Sequence, residues 1–252
     1  MTSLPSDPLD WVVVLAGALI AGFISGFAGF GTGLVASAFW FYALPAVMVP
    51  PLVALASVVS QTVGLMAVRA SFAWHQATPY LIGGVIGVPF GILLLGLASP
   101  TMLRLTVGVL LVAYAAFQLS ALARAGIGRW GGRLADSIVG IVGGTLGGFA
   151  GLSGAPPLIW LQLRGGQSAT QRATYQPFNL IVLALAGFGM AISGHITKDV
   201  LVVTATAIPA TLLGAWAGVQ AYARMSDSAF RRLVLVLLLS SGIVLIGQAI
   251  LG

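Results

Sequence analysis

Neither cysteine nor glutamate occurs in this chain, and its acidic residues are five aspartates. Without cysteine there are no disulfides and no thiolate metal sites, and the redox compartment is not readable. Asp7, Asp10, Asp136, Asp199 and Asp227 all fall at the ends of apolar segments, where first-turn placement or solvation accounts for them. The sequence therefore offers no carboxylate within a membrane to relay a proton or hold sodium. His75 and His195 also sit at segment edges and read as loop histidines. With no paired acids, no metal cluster and no GxSxG word, the chain lacks equipment for catalysis, so no enzyme, metal or cofactor is implied.

Charge is scarce as well, at 6% of residues against about 25% in a typical soluble domain. Hydrophobic residues make up 59% and mean hydropathy is +1.06. These values describe an all-α, polytopic membrane protein whose first partner is the lipid bilayer, with no room for a soluble domain. The net charge of +6 would suggest nucleic acid in a soluble protein; here it is orientation charge in short loops, and no nucleic-acid partner is expected. The opening residues, MTSLPSDPLD, carry no basic stretch before the apolar run at Trp11, so a cleaved signal peptide is not expected.

What the chain has in abundance is glycine in greasy surroundings. Apolar runs separated by proline, glycine or charge predict ten segments, at about 11–28, 30–44, 48–68, 76–98, 102–121, 136–150, 153–163, 169–193, 199–222 and 229–250. The Gly- and Arg-rich stretch 123–135 divides them into an N-terminal repeat, 1–122, and a C-terminal repeat, 136–252. The halves share landmarks in one order. GFAG recurs at Gly26 and Gly148, PYLIGGVIGVPFG from Pro79 parallels VLVVTATAIPATLLG from Val200, and SPTMLRLTVGVLL from Ser99 parallels SDSAFRRLVLVLL from Ser226. Matched words at offsets of about 120 to 127 residues indicate an internal duplication.

Arginine sets the orientation. With the connector in the cytoplasm and an odd number of crossings per half, Arg69, Arg124, Arg129, Arg133, Arg164, Arg172, Arg224, Arg231 and Arg232 lie inside, leaving Arg104 and Lys198 outside. An odd count inverts one repeat with respect to the other and places both termini in the periplasm of a bacterial inner membrane. The first two segments of each half read as half-helices joined by a broken or re-entrant turn, GFAGFGTG and GFAGLSGA, with helix resuming near Leu34 and near Pro156. Non-helical backbone at membrane depth is tolerated only where it is buried or lines a cavity.

A helix that begins at depth presents unpaired N–H groups and the positive end of its dipole, a ready anion site. Glycine permits close approach, and positive φ where it is needed at Gly31 or Gly154. The candidate substrate-binding residues are accordingly Gly29, Gly31, Thr32 and Gly33 at the first break, and Gly151, Ser153 and Gly154 at the second. Helix ends contribute about 1 to 2 kcal/mol at best, whereas removing an anion from water costs several, so further polar groups must converge. Ser57 and Gln61 on segment three, with Tyr175, Gln176 and Asn179 on segment eight, are placed to do so, Gln61 falling opposite Asn179 in the repeat alignment. Arg172 reads either as a snorkelling surface residue or as the fixed charge of an inward vestibule. Gly22/Gly26, Gly83/Gly87/Gly91 and Gly214/Gly218 have the spacing of close helix packing instead. Trp11, Trp74, Tyr80 and Trp130 suit an interfacial belt.

Two halves that each open on such a glycine word resemble the sulfite exporter TauE/SafE family, also called the 4-toluene sulfonate uptake permease family. The likeness spans nearly the whole chain. The family's Gly-apolar-Gly-Gly-Gly word falls on Phe30, Gly31, Thr32 and Gly33, and in the second half on Leu152, Ser153, Gly154 and Ala155. Thr32, Ser153 and Ala155 depart from it, which bears on the identity of the substrate. The resemblance implies a permease for a small sulfur-containing anion such as sulfite or an organosulfonate, without fixing its direction. The competing readings are a passive anion channel, a transporter of another small organic anion and a structural membrane protein. The oligomeric state is left open, with a homodimer as one option.

The arginine asymmetry generates a test that a cysteine-free chain makes clean. In intact cells, an impermeant thiol reagent added outside should label a Lys198→Cys variant and leave an Arg129→Cys variant untouched. Labelling at position 129 from outside would overturn the orientation.

Overall fold

The computed structural model describes residues 4–5, 7–67, 73–120, 126, 128, 130–165, 167–222 and 227–251. Arg69, Arg124, Arg129 and Arg224, used above for orientation, lie outside the described residues, as do the side chains of Arg231 and Arg232. Among the described residues the chain forms ten α-helices and no strand: α1 Pro8–Ala28, α2 Thr32–Ala43, α3 Val49–Ala67, α4 Trp74–Leu97, α5 Pro100–Leu119, α6 Gly132–Ala150, α7 Ala155–Arg164, α8 Ser168–Ile192, α9 Lys198–Tyr222 and α10 Asp227–Leu251. A single 3-10 turn, Ala46–Met48, leads into α3. Seven of the helices, α1, α3, α4, α5, α8, α9 and α10, are long and apolar enough to cross a membrane.

The ten segments are present, but the first pair in each half is built differently from expectation. α1 has 21 residues and α6 has 19, so neither is a half-helix. Asp7 caps α1 by accepting from the Leu9 N–H at 2.9 Å, with Pro8 at the first helical position, so the helix starts ahead of the apolar run. α6 starts at Gly132, inside what reads as connector, behind Gly131 at φ 76°. Only α2 and α7 are short. Their 12 and 10 residues reach about 18 and 15 Å at ~1.5 Å per residue, roughly half a hydrocarbon core of ~30 Å.

Glycine determines which helices pair. A Cβ added at Gly22 would meet the Thr211 carbonyl oxygen, and one at Gly26 that of Ala215; from the other side, Gly214 faces Leu19 and Gly218 faces Phe23. The same geometry joins α4 to α6, where Gly83, Gly87 and Gly91 face the carbonyls of Ser137, Ile141 and Thr145. Backbone lies directly on backbone, the close approach that small residues permit in a bilayer. Contact positions climb together along both members, so α1 runs parallel to α9 and α4 parallel to α6. Each pair joins the first long helix of one half to the fourth helix of the other. α5 and α10 cross at Gly108 and Gly242, and α3 and α8 pack at the centre.

Tryptophan ties each short helix to its long partner. Trp40 of α2 donates from Nε1 to the Val14 carbonyl at 3.0 Å, and Trp160 of α7 donates to Asp136 Oδ1 at 2.8 Å. Asp136 thus departs from the expectation of a solvated segment end. It is 6% exposed and also accepts from Tyr80 Oη at 2.6 Å and from Arg164 Nη1 at 3.2 Å. Arg164 Nη2 donates to the Trp130 and Gly132 carbonyls, and the guanidinium lies over the Trp160 ring at 5.4 Å. Tyr80, expected in an interfacial belt, is 2% exposed and belongs to this cluster, whereas Trp74 and Trp130 are exposed as a belt requires. Accepting three bonds, one of them from a guanidinium, this carboxylate ties α4, α6 and α7 together as a structural clamp.

A leucine at Gly87 has nowhere to go but into the Ile141 carbonyl and the Thr145 N–H of α6. Gly87→Leu should force α4 from α6 and lower stability by about 1 to 3 kcal/mol. Thermal melting in detergent, monitored by size-exclusion chromatography, measures the loss.

Candidate functional site

The two breaks meet inside the bundle. α1 ends at Gly29, φ 79°, whose N–H bonds the Ser25 carbonyl at 2.7 Å, and α2 starts behind Gly31 at φ 96°. α6 ends at Gly151, φ 72°, and α7 starts behind Gly154. Both helices resume slightly before the expected Leu34 and Pro156, at Thr32 and Ala155. Gly154 does not take the positive φ anticipated for it; its φ is −79°, and Gly151 makes the left-handed turn in that half. A Cβ added at Gly33 would meet the Gly151 carbonyl oxygen at 2.8 Å and Leu152 Cδ2 at 2.7 Å, so the turns are in contact.

Between them lies a cavity of about 20 Å³, to which both halves of the chain contribute. Of the residues singled out from sequence, Gly31, Thr32, Gly33, Ser57, Gln61, Gly151, Gly154 and Asn179 line it. Ser57, Gln61 and Asn179 are 1%, 4% and 2% exposed. Ser153 does not line the cavity but aims a group that does: its hydroxyl donates to Asn179 Oδ1 at 2.9 Å, which leaves the amide NH₂ of Asn179 to turn inward. In the first half Thr32 Oγ1 and Ser60 Oγ share a bond of 2.7 Å, so each break is tied to the third helix of its own half. The Ser57 hydroxyl, wholly buried at the cavity wall, has no hydrogen-bond partner.

The two helix starts are not equivalent as donors. Thr32, Gly33 and Leu34 precede the first intrahelical bond of α2, which the Val35 N–H makes to Gly31. In α7 the corresponding positions are Ala155, Pro156 and Pro157, and the prolines carry no N–H. The second break therefore brings a dipole and few donors, and the Asn179 amide stands where backbone hydrogens are missing. A Cβ at Gly154 would lie 2.6 Å from Asn179 Nδ2.

The remaining expected residues sit beneath the first break. Gly29 leaves room for Arg172 Nε and Gln176 Nε2, which a Cβ there would approach to 2.7 and 2.8 Å. Gln176 is 2% exposed, and its Nε2 has no partner. Tyr175 donates to the Ala28 carbonyl at 2.8 Å at the end of α1. Arg172 and Tyr175 face a second, larger cavity of about 320 Å³, bounded also by Gln118, Gln162 and Gln171 and by apolar side chains that include Phe30. Gln118 donates to Tyr114 Oη at 2.9 Å and to Gln162 Oε1 at 3.0 Å, linking α5 to α7. Tyr114, Gln118 and Gln162 are not among the residues singled out from sequence; the available signal was glutamine within apolar helices.

Leucine at either break intrudes on the small cavity. At Gly31 it must also adopt φ 96°, although only Ile24 Cγ2, at 3.4 Å, is near its Cβ; at Gly154 it strikes Asn179. Gly31→Leu and Gly154→Leu should abolish anion binding per folded molecule, while Gly87→Leu retains it on the folded fraction. Calorimetry on the monodisperse fraction of each variant compares them. Near-normal affinity in the two turn variants would assign their glycines to packing alone.

Among curated proteins and solved structures, none matches the chain. A family model described as "Sulfite exporter TauE/SafE" matches residues 14–245, a stretch that takes in both breaks, both cavities and all ten helices in whole or in part. The chain belongs to the sulfite exporter TauE/SafE family of membrane transporters.

Proposed function

We propose that the chain is a secondary transporter for a small sulfur-containing anion, sulfite or an organosulfonate, which it binds between the two glycine breaks. The observation that carries this reading is the small cavity where the breaks touch, with a buried, unpartnered Ser57 hydroxyl on its wall and the amide of Asn179 oriented by Ser153. The unpartnered Ser57 hydroxyl and the Asn179 amide are both able to donate, which suits an acceptor-rich oxyanion.

Size makes the conformation closed at this point. About 20 Å³ is room for one water, whose share of the liquid is about 30 Å³, and an oxyanion of four heavy atoms needs the turns to part. A passive channel would hold that path open. Parting and reclosing around a ligand is the behaviour of a transporter built on broken helices.

The helix directions support inverted repeats. α6, α7, α8 and α9 reverse at each short connection, so α6 runs opposite to α9. Because α1 runs with α9, it runs opposite to α6, its counterpart in the other half. Joined to the arginine distribution, this supports a topology with both termini in the periplasm of a bacterial inner membrane. The larger cavity, bounded by the first part of α8 and the last part of α5, then opens toward the cytoplasm.

Purified protein in liposomes, offered sulfite, sulfoacetate, taurine, toluenesulfonate and acetate, tests the reading. Saturable movement of one or more sulfur anions, and not of acetate, is expected. Gln61→Ala and Asn179→Ala should each weaken binding by about 1.5 to 3 kcal/mol, roughly 10- to 100-fold, without loss of folding. Normal transport by both variants would return these side chains to a structural role.

A further inference from the structure

The two cavities share Phe30, Gly31 and Leu34. Gly31 has no side chain and Leu34 belongs to α2, so the shared side chain that lies in the linker between α1 and α2 is the ring of Phe30. Two tyrosines hold that ring edge-on: Tyr114 of α5, with centroids 6.2 Å apart, and Tyr175 of α8, at 5.9 Å. Tyr175 is in turn bonded to Ala28, one peptide before the break. The ring's position is therefore tied to two helices and to the turn itself.

From this arrangement we propose that the larger chamber is a separate oxyanion-binding station, centred on Arg172, and that Phe30 is the gate between it and the pocket at the breaks. The proposal rests on the transporter reading above and divides its path into two stops. Size separates them. At about 320 Å³ the chamber admits an anion with a hydrocarbon body, whereas the pocket beyond Phe30, at about 20 Å³, admits none in this conformation. Chemistry separates them as well. The chamber carries a full positive charge and the amides of Gln162 and Gln171, so an anion leaving water gains a charged partner there first. The pocket offers only neutral donors. A charged station followed by a neutral one lets the ligand dehydrate in steps, with the aromatic gate keeping water from following.

Single-cysteine variants on the purified, cysteine-free chain in detergent test the proposal independently of membrane orientation. Ala28 lines the chamber alone and Ser57 the pocket alone. With a methanethiosulfonate reagent, Ala28→Cys should react at least tenfold faster than Ser57→Cys, and Phe30→Ala should abolish most of that difference. Phe30→Leu serves as the milder replacement if the alanine variant is not monodisperse. Toluenesulfonate, which does not consume the thiosulfonate reagent as sulfite would, should slow labelling of Ala28→Cys at least tenfold. Arg172→Gln should remove this protection and Arg172→Lys restore it, at matched melting temperature. Equal reactivity of the two positions with Phe30 intact, or protection that survives Arg172→Gln, would overturn the proposal. If protection follows the expected pattern but the wild-type protein moves no anion in liposomes, the station stands and the transporter reading falls. If anions move in liposomes without any protection at Ala28→Cys, the transporter reading stands and the station falls.

Discussion

A backbone that leaves helical geometry inside a bilayer exposes N–H and C=O groups where no water is at hand to bond them, and each one left unmet costs several kcal/mol. This chain leaves helical geometry twice inside its helix bundle, and the rest of its architecture answers the consequences. The carbonyl ends are met from nearby: Gly29 and Gly151 fold their own N–H groups back onto Ser25 and Gly147, and Tyr175 donates to Ala28. The N–H ends are treated differently. At the first break the opening residues of α2 line a cavity and keep their N–H groups. At the second, two prolines delete most of the hydrogens that would otherwise be orphaned, and a side-chain amide is brought in instead. Reducing the unmet donors at one break while keeping them at the other leaves a lopsided cradle rather than a symmetric one.

Such a cradle has to be held at fixed spacing, because a helix end misplaced by an ångström loses both the ligand and its neighbour's contact. The parallel pairs α1 with α9 and α4 with α6 supply the hold, through glycine rows that bring backbone against backbone. Each break is thereby attached to a long helix of the opposite half. Trp40 and Trp160 then fasten the short helices to the long ones they follow. At the other end of each short helix stands a glycine turn, Gly31 or Gly154, where the backbone carries no side chain.

Much of this is legible in the chain itself. Apolar runs ended by Pro, Gly or charge locate ten helices, and the repeat alignment singles out Gln61 and Asn179, because a polar side chain at matched depth in both halves is hard to attribute to chance. Other features are hidden for identifiable reasons. The lengths of α1 and α6 depend on a cap and on helical residues with little apolar signal, Pro8 and Gly132 among them. The burial of Asp136 depends on partners from α4 and α7 that share no local pattern with it. The donor poverty of the second break is visible as Pro156 and Pro157, yet in sequence these prolines signal only a helix start. The chamber depends on Tyr114 and Gln118 reaching across from α5, a tertiary contact that spacing along the chain does not encode.

Aligning the two halves on their shared words also marks where they differ. At the alignment that pairs Gln61 with Asn179, Arg172 falls opposite Ala54; at the one that pairs Trp40 with Trp160, Arg164 falls opposite Leu44. Ala54 and Leu44 are buried and apolar. Both arginines, and the Asp136 that one of them binds, thus have no counterpart in the first half; Arg164 closes α7, whereas Arg172 and Asp136 lie near the starts of α8 and α6. Two halves with identical chemistry would give the ligand the same reception on both faces of the membrane. Here the glycine breaks recur in both halves, while Arg172, which has no counterpart in the first half, lines the chamber beside the first break. Such an approach is where a duplicated protein can become directional without disturbing the centre, since a charge added there alters how an anion arrives and leaves but not the backbone geometry that holds it.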